Sequence, residues 1–245
     1  VARNCFQNVG KGLVELIYFL EHTPMIKERV SFEGKHYLDE AFRQRKGVIA
    51  VSGHFGNFPL MLLRCVQEGY QTNAIMRPAR DENIEKYFVA QRTKLGLNTI
   101  YSQPRKECVD TSLKVLRNNE LLLVLLDQNF GSRGGVFVDF FGQKAATATG
   151  PVIFAKRTGA PLVPMFMIRQ PDDTHKIIVE PPLILEEGRD EQETILINTA
   201  KMTQLIELYI RRYPQEWGWM HRRWKSRPTE SSVVAPPSTE GAINE

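Results

Sequence analysis

Val48-Ile49-Ala50-Val51-Ser52-Gly53-His54-Phe55-Gly56-Asn57-Phe58-Pro59-Leu60-Met61 decides how the rest of this 245-residue chain is read. It begins as an apolar, β-branched run, the composition of a buried strand. Small and turn-forming residues interrupt it from Ser52 to Asn57, and Leu60, Leu63 and Val66 then recur at helical spacing. A strand that passes through a turn into a helix puts His54 at the carboxyl end of that strand, the edge where open α/β sheets bind ligands. Gly53 and Gly56 leave room for a close approach to the backbone. A histidine there can take a proton from a hydroxyl near neutral pH. A histidine that merely caps the turn accounts for the same letters, and only geometry separates the two.

On either side of this stretch, strand and helix patterns alternate. Phe6, Val9, Leu13, Leu16, Ile17 and Leu20 predict an amphipathic helix over 4–20. Its apolar face is expected to pack on the domain, with a membrane surface as the other use of such a face. A short strand and turn around Gly34 and a charged helix from Asp39 to Arg45 lead into the His54 strand. Gln71–Met76 reads as the next strand, stopped by Arg77-Pro78. Ala79–Leu95 reads as a helix with Ile84, Tyr87, Phe88 and Leu95 inward and Gly96 closing it. After a short strand at Thr99–Tyr101 and a helix at Val109–Leu116, Leu121–Leu126 is a continuous apolar run, as a strand covered on both faces should be. It ends abruptly in Asp127-Gln128-Asn129, again at the ligand edge.

Gly131, Gly134 and Gly135 mark a loop, and an apolar, aromatic stretch over 136–142 follows. Thr149 is a fitting N-cap for a helix with Pro151 in its first turn, ended at Gly159. Pro161–Ile168 and Lys176–Val179 read as strands, and Glu191–Tyr213 as a long helix with Ile195, Met202, Leu205, Ile206 and Tyr209 inward. The alternation argues an α/β fold, one domain over 1–228 with a central, largely parallel sheet flanked by helices. The tail, 229–245, is rich in Ser, Pro, Ala and Glu and is expected to be disordered.

Hydrophobic residues make up 42% and charged residues 24%, and the net charge of +4 makes no case for nucleic acid by itself. Cys5, Cys65 and Cys108 are far apart, with no Cys-x-x-Cys and no His/Cys cluster, so neither a disulfide framework nor a metal site is expected, and no cofactor. A reducing, cytosol-facing setting follows from that usage. No apolar run reaches the roughly 18 residues of a membrane span. The chain begins with Val1 rather than Met, as a piece of a longer protein does, so an upstream anchor is compatible with it.

Several blocks, in order, resemble the bacterial lipid A biosynthesis acyltransferases, the lauroyl/myristoyl acyltransferase family within the wider group of lysophospholipid and glycerolipid acyltransferases. They are Ser52-Gly-His-Phe-Gly-Asn57, Arg77-Pro78, Asp127-Gln128, Phe137-Val-Asp-Phe-Phe-Gly142 with Ala146-Thr147, Thr158-Gly-Ala-Pro-Leu-Val-Pro164, and Trp217 to Pro228. The resemblance runs from about Gly47 to Pro228. It implies a glycerolipid-acyltransferase-like fold and transfer of a fatty acyl chain from an acyl-carrier-protein or coenzyme A thioester to a hydroxyl of a lipid A precursor or a related glycolipid or lysolipid. It also implies residence at the cytoplasmic face of the bacterial inner membrane, peripherally or through an N-terminal helix that these residues lack.

The signature of the wider group is His, four residues, then Asp or Glu. Position 59 holds Pro59 instead. His54, the implied general base, therefore needs another partner, and Asp127 is the candidate. The alternative is a weakened homologue that binds anionic lipid or a membrane surface. Donors near the Gly53–Gly56 turn are expected to stabilise the oxyanion. Arg77 suits a bidentate grip on an acceptor phosphate, or else a structural ion pair. Asn57 and Gln128 join it as expected substrate-binding residues, and Arg133, in the glycine-rich loop, meets phosphate or solvent. Phe137, Phe140 and Phe141 line an acyl channel or fill the core. An acyl-enzyme would need Ser52 or Cys65, but the surround of Ser52 is not Gly-x-Ser-x-Gly. The Trp217–Arg227 cluster mixes aromatic and basic residues. It is expected at a membrane interface rather than on nucleic acid, with a segment folded back on the domain as the structural counterpart.

Overall fold

The computed structural model describes residues 1–131 and 135–228. Arg133 and the tail at 229–245 lie outside the described residues.

The chain opens with α1 (Ala2–Glu21), α2 (Met25–Arg29), β1 (Val30–Glu33), α3 (Lys35–Arg43), β2 (Val48–Ser52) and α4 (Phe58–Gln67). It continues through β3 (Thr72–Met76), α5 (Glu82–Lys94), β4 (Leu97–Tyr101), α6 (Arg105–Arg117), β5 (Leu121–Leu125), β6 (Gly135–Phe140) and β7 (Gln143–Ala148). It ends with α7 (Gly150–Thr158), β8 (Leu162–Arg169), β9 (His175–Val179), α8 (Glu191–Arg212) and a 3-10 turn at Pro214–Glu216. Seven strands form one sheet in the order β1-β9-β8-β2-β5-β3-β4. β8 and β9 pair antiparallel and every other neighbouring pair is parallel. β6 and β7 form a separate hairpin, which the apolar reading of 136–142 did not resolve into strands.

Period-two alternation divides the sheet between two cores. Ile49, Val51, Leu122 and Val124 face a layer that includes α6, α7 and α8 residues, among them Leu116, Phe154 and Ile206. Val48, Ala50, Leu121 and Leu123 face Leu38 of α3 and Leu60 and Leu63 of α4. With both faces covered, β2 has little room for polar groups, which is why it runs apolar from Val48 to Val51 before ending at the buried Ser52.

Two amphipathic helices sit the other way round from the expectation. In α1 the residues against the domain are Cys5, Asn8, Gly12, Glu15, Leu16 and Phe19, while Phe6, Leu13, Val14 and Ile17 are exposed. The reason is a polar anchorage. The Glu15 carboxylate accepts from both terminal nitrogens of Arg169, from His175 Nε2 at 3.0 Å and from Asn57 Nδ2 at 3.2 Å. Burial works against the Glu15 charge, but the bonds from His175 and Arg169 win and hold its carboxyl down at about 2. In α5, Ile84, Tyr87 and Phe88 are likewise exposed rather than inward, and of the four expected residues Leu95 alone packs on the core.

Glu15→Gln takes from the Arg169 guanidinium, 8% exposed, its bidentate counter-ion and leaves it only the more exposed Asp173 at 3.3 Å. The expected loss is roughly 2–4 kcal/mol of stability, read by urea unfolding, with amide exchange in α1 accelerating ahead of β2 and β5. Unchanged exchange in α1 would show that Glu15 does not anchor the helix.

Candidate active site

Parallel pairing of β2 with β5 sets the geometry. Val48 lies opposite Leu121 and Ser52 opposite Leu125, so two residues further on His54 and Asp127 leave the sheet at the same level. β3 pairs with the other side of β5, and Arg77 follows its last residue, Met76. Three strand ends thus deliver an imidazole, a carboxylate and a guanidinium to one edge.

His54 Nδ1 donates to Asp127 Oδ1 at 2.9 Å, and the indole Nε1 of Trp217 donates to Asp127 Oδ2 at 2.7 Å. The Asp127 side chain is 2% exposed and that of His54 33%. Burial alone would raise the Asp127 carboxyl, but the hydrogen bonds from His54 and Trp217 keep it below the usual carboxylate range. An ionised carboxylate only accepts, so Nδ1 carries the hydrogen and the lone pair of His54 lies on Nε2. Gly53 suits this arrangement, since a Cβ there would press on Asp127 Cγ at 3.2 Å. Gly56 has φ +59, and a Cβ on it would lie 2.0 Å from the Met167 carbonyl oxygen.

The other expected residues divide. Arg77 is exposed and makes no hydrogen bond or ion pair within 4 Å among the described residues. Pro59 sits in the first turn of α4, where its missing N–H costs the helix nothing. Asn57 is buried as the N-cap of α4, accepting from Leu60 N and donating to Gly12 O and Glu15. Its amide is engaged in structure. Gln128 is half-buried, and its carbonyl accepts from Arg223. Phe140 is fully buried in the core against Trp217 and Trp224. Ser52 and Cys65 are buried, and burial pushes the Cys65 thiol up to about 12, so neither presents a nucleophile.

The Trp217–Pro228 segment is divided: two residues of the expected membrane-facing cluster turn inward and the others stay wholly or partly at the surface. Trp217 is 2% exposed and Arg223 is completely buried. The segment folds back: Phe55 and Trp217 form an antiparallel bridge, Gly218 N donates to His54 O at 3.0 Å, and Gly56 N donates to Glu216 O at 2.7 Å. Arg223 donates to the Gln128, Ala146 and Thr147 oxygens beneath the Asp127 turn. Trp219, Met220, Arg222, Lys225 and Arg227 remain exposed. Trp217 and His221, whose Nε2 accepts from Asn129 N, are site residues that sequence reasoning did not single out individually. The tryptophan-rich letters were the only signal, and nothing local says which indole turns inward.

A profile of the bacterial lipid A biosynthesis acyltransferases matches residues 1–226. The chain belongs to this family. It is therefore an acyltransferase. The lipid A biosynthesis lauroyltransferase of Escherichia coli is 28% identical over 91% of this chain and 71% of its own length. The lipid A biosynthesis palmitoleoyltransferase of the same organism is 27% identical over 96% of this chain and 74% of its own. A phosphatidylinositol mannoside acyltransferase of Mycobacterium tuberculosis is 27% identical over 54% of this chain and 42% of its own. The crystal structure of the 1-acyl-sn-glycerophosphate acyltransferase PlsC from Thermotoga maritima superposes with a TM-score of 0.45 at 14% identity, covering 82% of this chain and 79% of that one. Within this lipid A acyltransferase family, the chain carries its imidazole–carboxylate pair across two strand ends.

Glu216, which fixes Gly56 through its carbonyl, has a buried side chain that accepts from Asn8. Burial is the largest influence and raises its carboxyl to about 7, with Arg169 pulling the other way. A folded-state value above the unfolded one means stability is fully present below pH 4.5 and is lost as pH rises towards about 7. Glu216→Gln should remove that loss, making the variant more stable than the parent by roughly 2–4 kcal/mol above neutrality. Thermal denaturation across pH measures it, and parallel pH profiles for the two proteins would rule it out.

Proposed function

We propose that this acyltransferase moves a fatty acyl chain from a carrier-protein or coenzyme A thioester directly to a hydroxyl of a lipid A precursor or a related glycolipid, with His54 as general base. The observation that carries the reading is the Trp217–Asp127–His54 relay, which leaves the lone pair of His54 Nε2 as its only basic nitrogen. The acceptor hydroxyl gives its proton to Nε2 as its oxygen attacks the thioester carbonyl. The tetrahedral intermediate collapses, the C–S bond breaks, and the proton passes from His54 to the departing thiolate. Asp127 holds the imidazole in the right tautomer and balances its charge while it carries the proton. Arg77, at the adjacent strand end with its guanidinium unpaired among the described residues, suits a phosphate of the acceptor. Lipid A and phosphatidylinositol mannoside relatives support a glycolipid acceptor, and neither decides which.

The outward face of α1 supports peripheral attachment to the cytoplasmic side of the inner membrane. Among the described residues no helix is long and apolar enough to cross a membrane. Phe6, Leu13, Val14 and Ile17 are 59–68% exposed along one helix, and Trp219 and Met220 add to the exposed apolar surface.

His54→Ala should abolish transfer from lauroyl-carrier protein or lauroyl-coenzyme A to a lipid A precursor. Asp127→Asn should lower turnover on the order of 10²–10⁴-fold with the fold intact by circular dichroism, and Pro59→Glu in that background should restore part of it. Transfer at the parental rate by His54→Ala would end the general-base reading. A parent protein that binds vesicles but transfers nothing would favour the lipid-binding alternative.

Leu13→Gln combined with Ile17→Gln should weaken partitioning onto phosphatidylglycerol vesicles by about tenfold or more, without loss of thermal stability because neither side chain packs inward. Undiminished binding would place the membrane contact elsewhere.

A further inference from the structure

Direct acyl transfer passes through a tetrahedral carbon with a negatively charged oxygen, which requires donors already in place. The amides of the His54 turn are largely engaged. That of His54 bonds the Asp127 carboxylate, that of Phe55 the Gly53 carbonyl, and that of Gly56 the Glu216 carbonyl. Pro59 has no N–H, and that of Leu60 bonds the Asn57 cap. Three of the four amides at the expected Gly53–Gly56 oxyanion site are thus already bonded, which leaves it few donors.

The returning segment supplies one. Asn129 N donates to His221 Nε2 at 2.9 Å. A main-chain amide can only donate, so Nε2 is the lone-pair nitrogen and the neutral ring carries its hydrogen on Nδ1. Nδ1 makes no hydrogen bond among the described residues, and the ring is half-buried rather than enclosed. Asn129 lies two residues beyond Asp127, and Gly218, three residues before His221, bonds the His54 carbonyl. The ring is thus tied directly to the strand end that carries Asp127, and its segment to the strand end that carries His54. Burial holds His221 below the usual histidine range, with His54, Arg223 and Arg77 acting the same way against Asp127, so it stays neutral. Protonation would also break the Asn129 bond.

We propose that His221 is a catalytic residue whose Nδ1–H donates to the thioester carbonyl oxygen and to the oxyanion that oxygen becomes. This rests on the acyltransferase reading above. As the acceptor oxygen adds to the carbonyl carbon, the carbonyl π electrons move onto the oxygen held by His221. They return as the C–S bond breaks, and His221 keeps its proton throughout.

His221→Ala should lower kcat on the order of 10²–10³-fold, with the thioester KM within about twofold. His221→Gln, whose carboxamide can accept from Asn129 and still donate, should recover about tenfold of that loss. A lauroyl trifluoromethyl ketone, whose hydrate mimics the tetrahedral intermediate, should bind His221→Ala more weakly by a similar factor. Nitrogen-15 NMR of the parent protein should find His221 as the Nδ1–H tautomer. Parental kcat in a folded His221→Ala, or an Nε2–H tautomer, overturns the proposal; if the alanine variant fails to fold, the glutamine variant and the tautomer decide. A parent protein that transfers no acyl group from either thioester sinks the acyltransferase reading and this role with it.

Discussion

A buried carboxylate shared between an imidazole and an indole is the interaction on which this site depends. Asp127 is almost without solvent, and its charge there would be costly unless both oxygens found donors. His54 Nδ1 and Trp217 Nε1 supply them, together with the His54 amide. Satisfying that charge draws together the ends of β2 and β5 and the segment after α8. The same contacts that make the carboxylate tolerable orient the imidazole, so one set of bonds fixes both.

The position of the carboxylate separates this chain from the signature of the glycerolipid acyltransferases. A carboxylate five residues after the histidine would stand in the first turn of the following helix. Here that place is Pro59, which suits the helix but offers no oxygen. The partner comes instead from the neighbouring strand, at a spacing of 73 residues that the β2–β5 register converts into a 2.9 Å contact. Parallel strands with a fixed register place such a residue as reliably as local spacing does, because both faces of the sheet are buried and a one-residue slip would turn every side chain to the wrong core.

The inverted first helix shows how polar anchorage can free an apolar surface. α1 is fastened by Asn8, Gly12 and Glu15 to Glu216, Asn57, Arg169 and His175. Asn57 caps α4 directly after the His54 turn, and Glu216 bonds Gly56 within it. α1 therefore turns an exposed apolar side outward while its polar side is tied to the residues that flank the His54 turn.

What the sequence determined by itself was local in origin. The unbroken apolar runs at 48–51 and 121–126, the turn at Ser52–Asn57 and the capped helices specified an α/β fold and put His54, Arg77 and Asp127 at strand ends, because strand and helix periods and turn residues are properties of neighbouring letters. The ordered blocks carried the family. The tertiary structure decided everything that depended on distance along the chain. It decided that Asp127 faces His54, that Trp217 and Arg223 turn inward while Trp219 and Arg222 stay out, that Asn57 is engaged as a cap, and that the apolar faces of α1 and α5 look outward. An amphipathic pattern gives the angle between two faces of a helix but not which one meets protein. That choice fell to Glu15, whose partners, Arg169 and His175, lie 154 and 160 residues away.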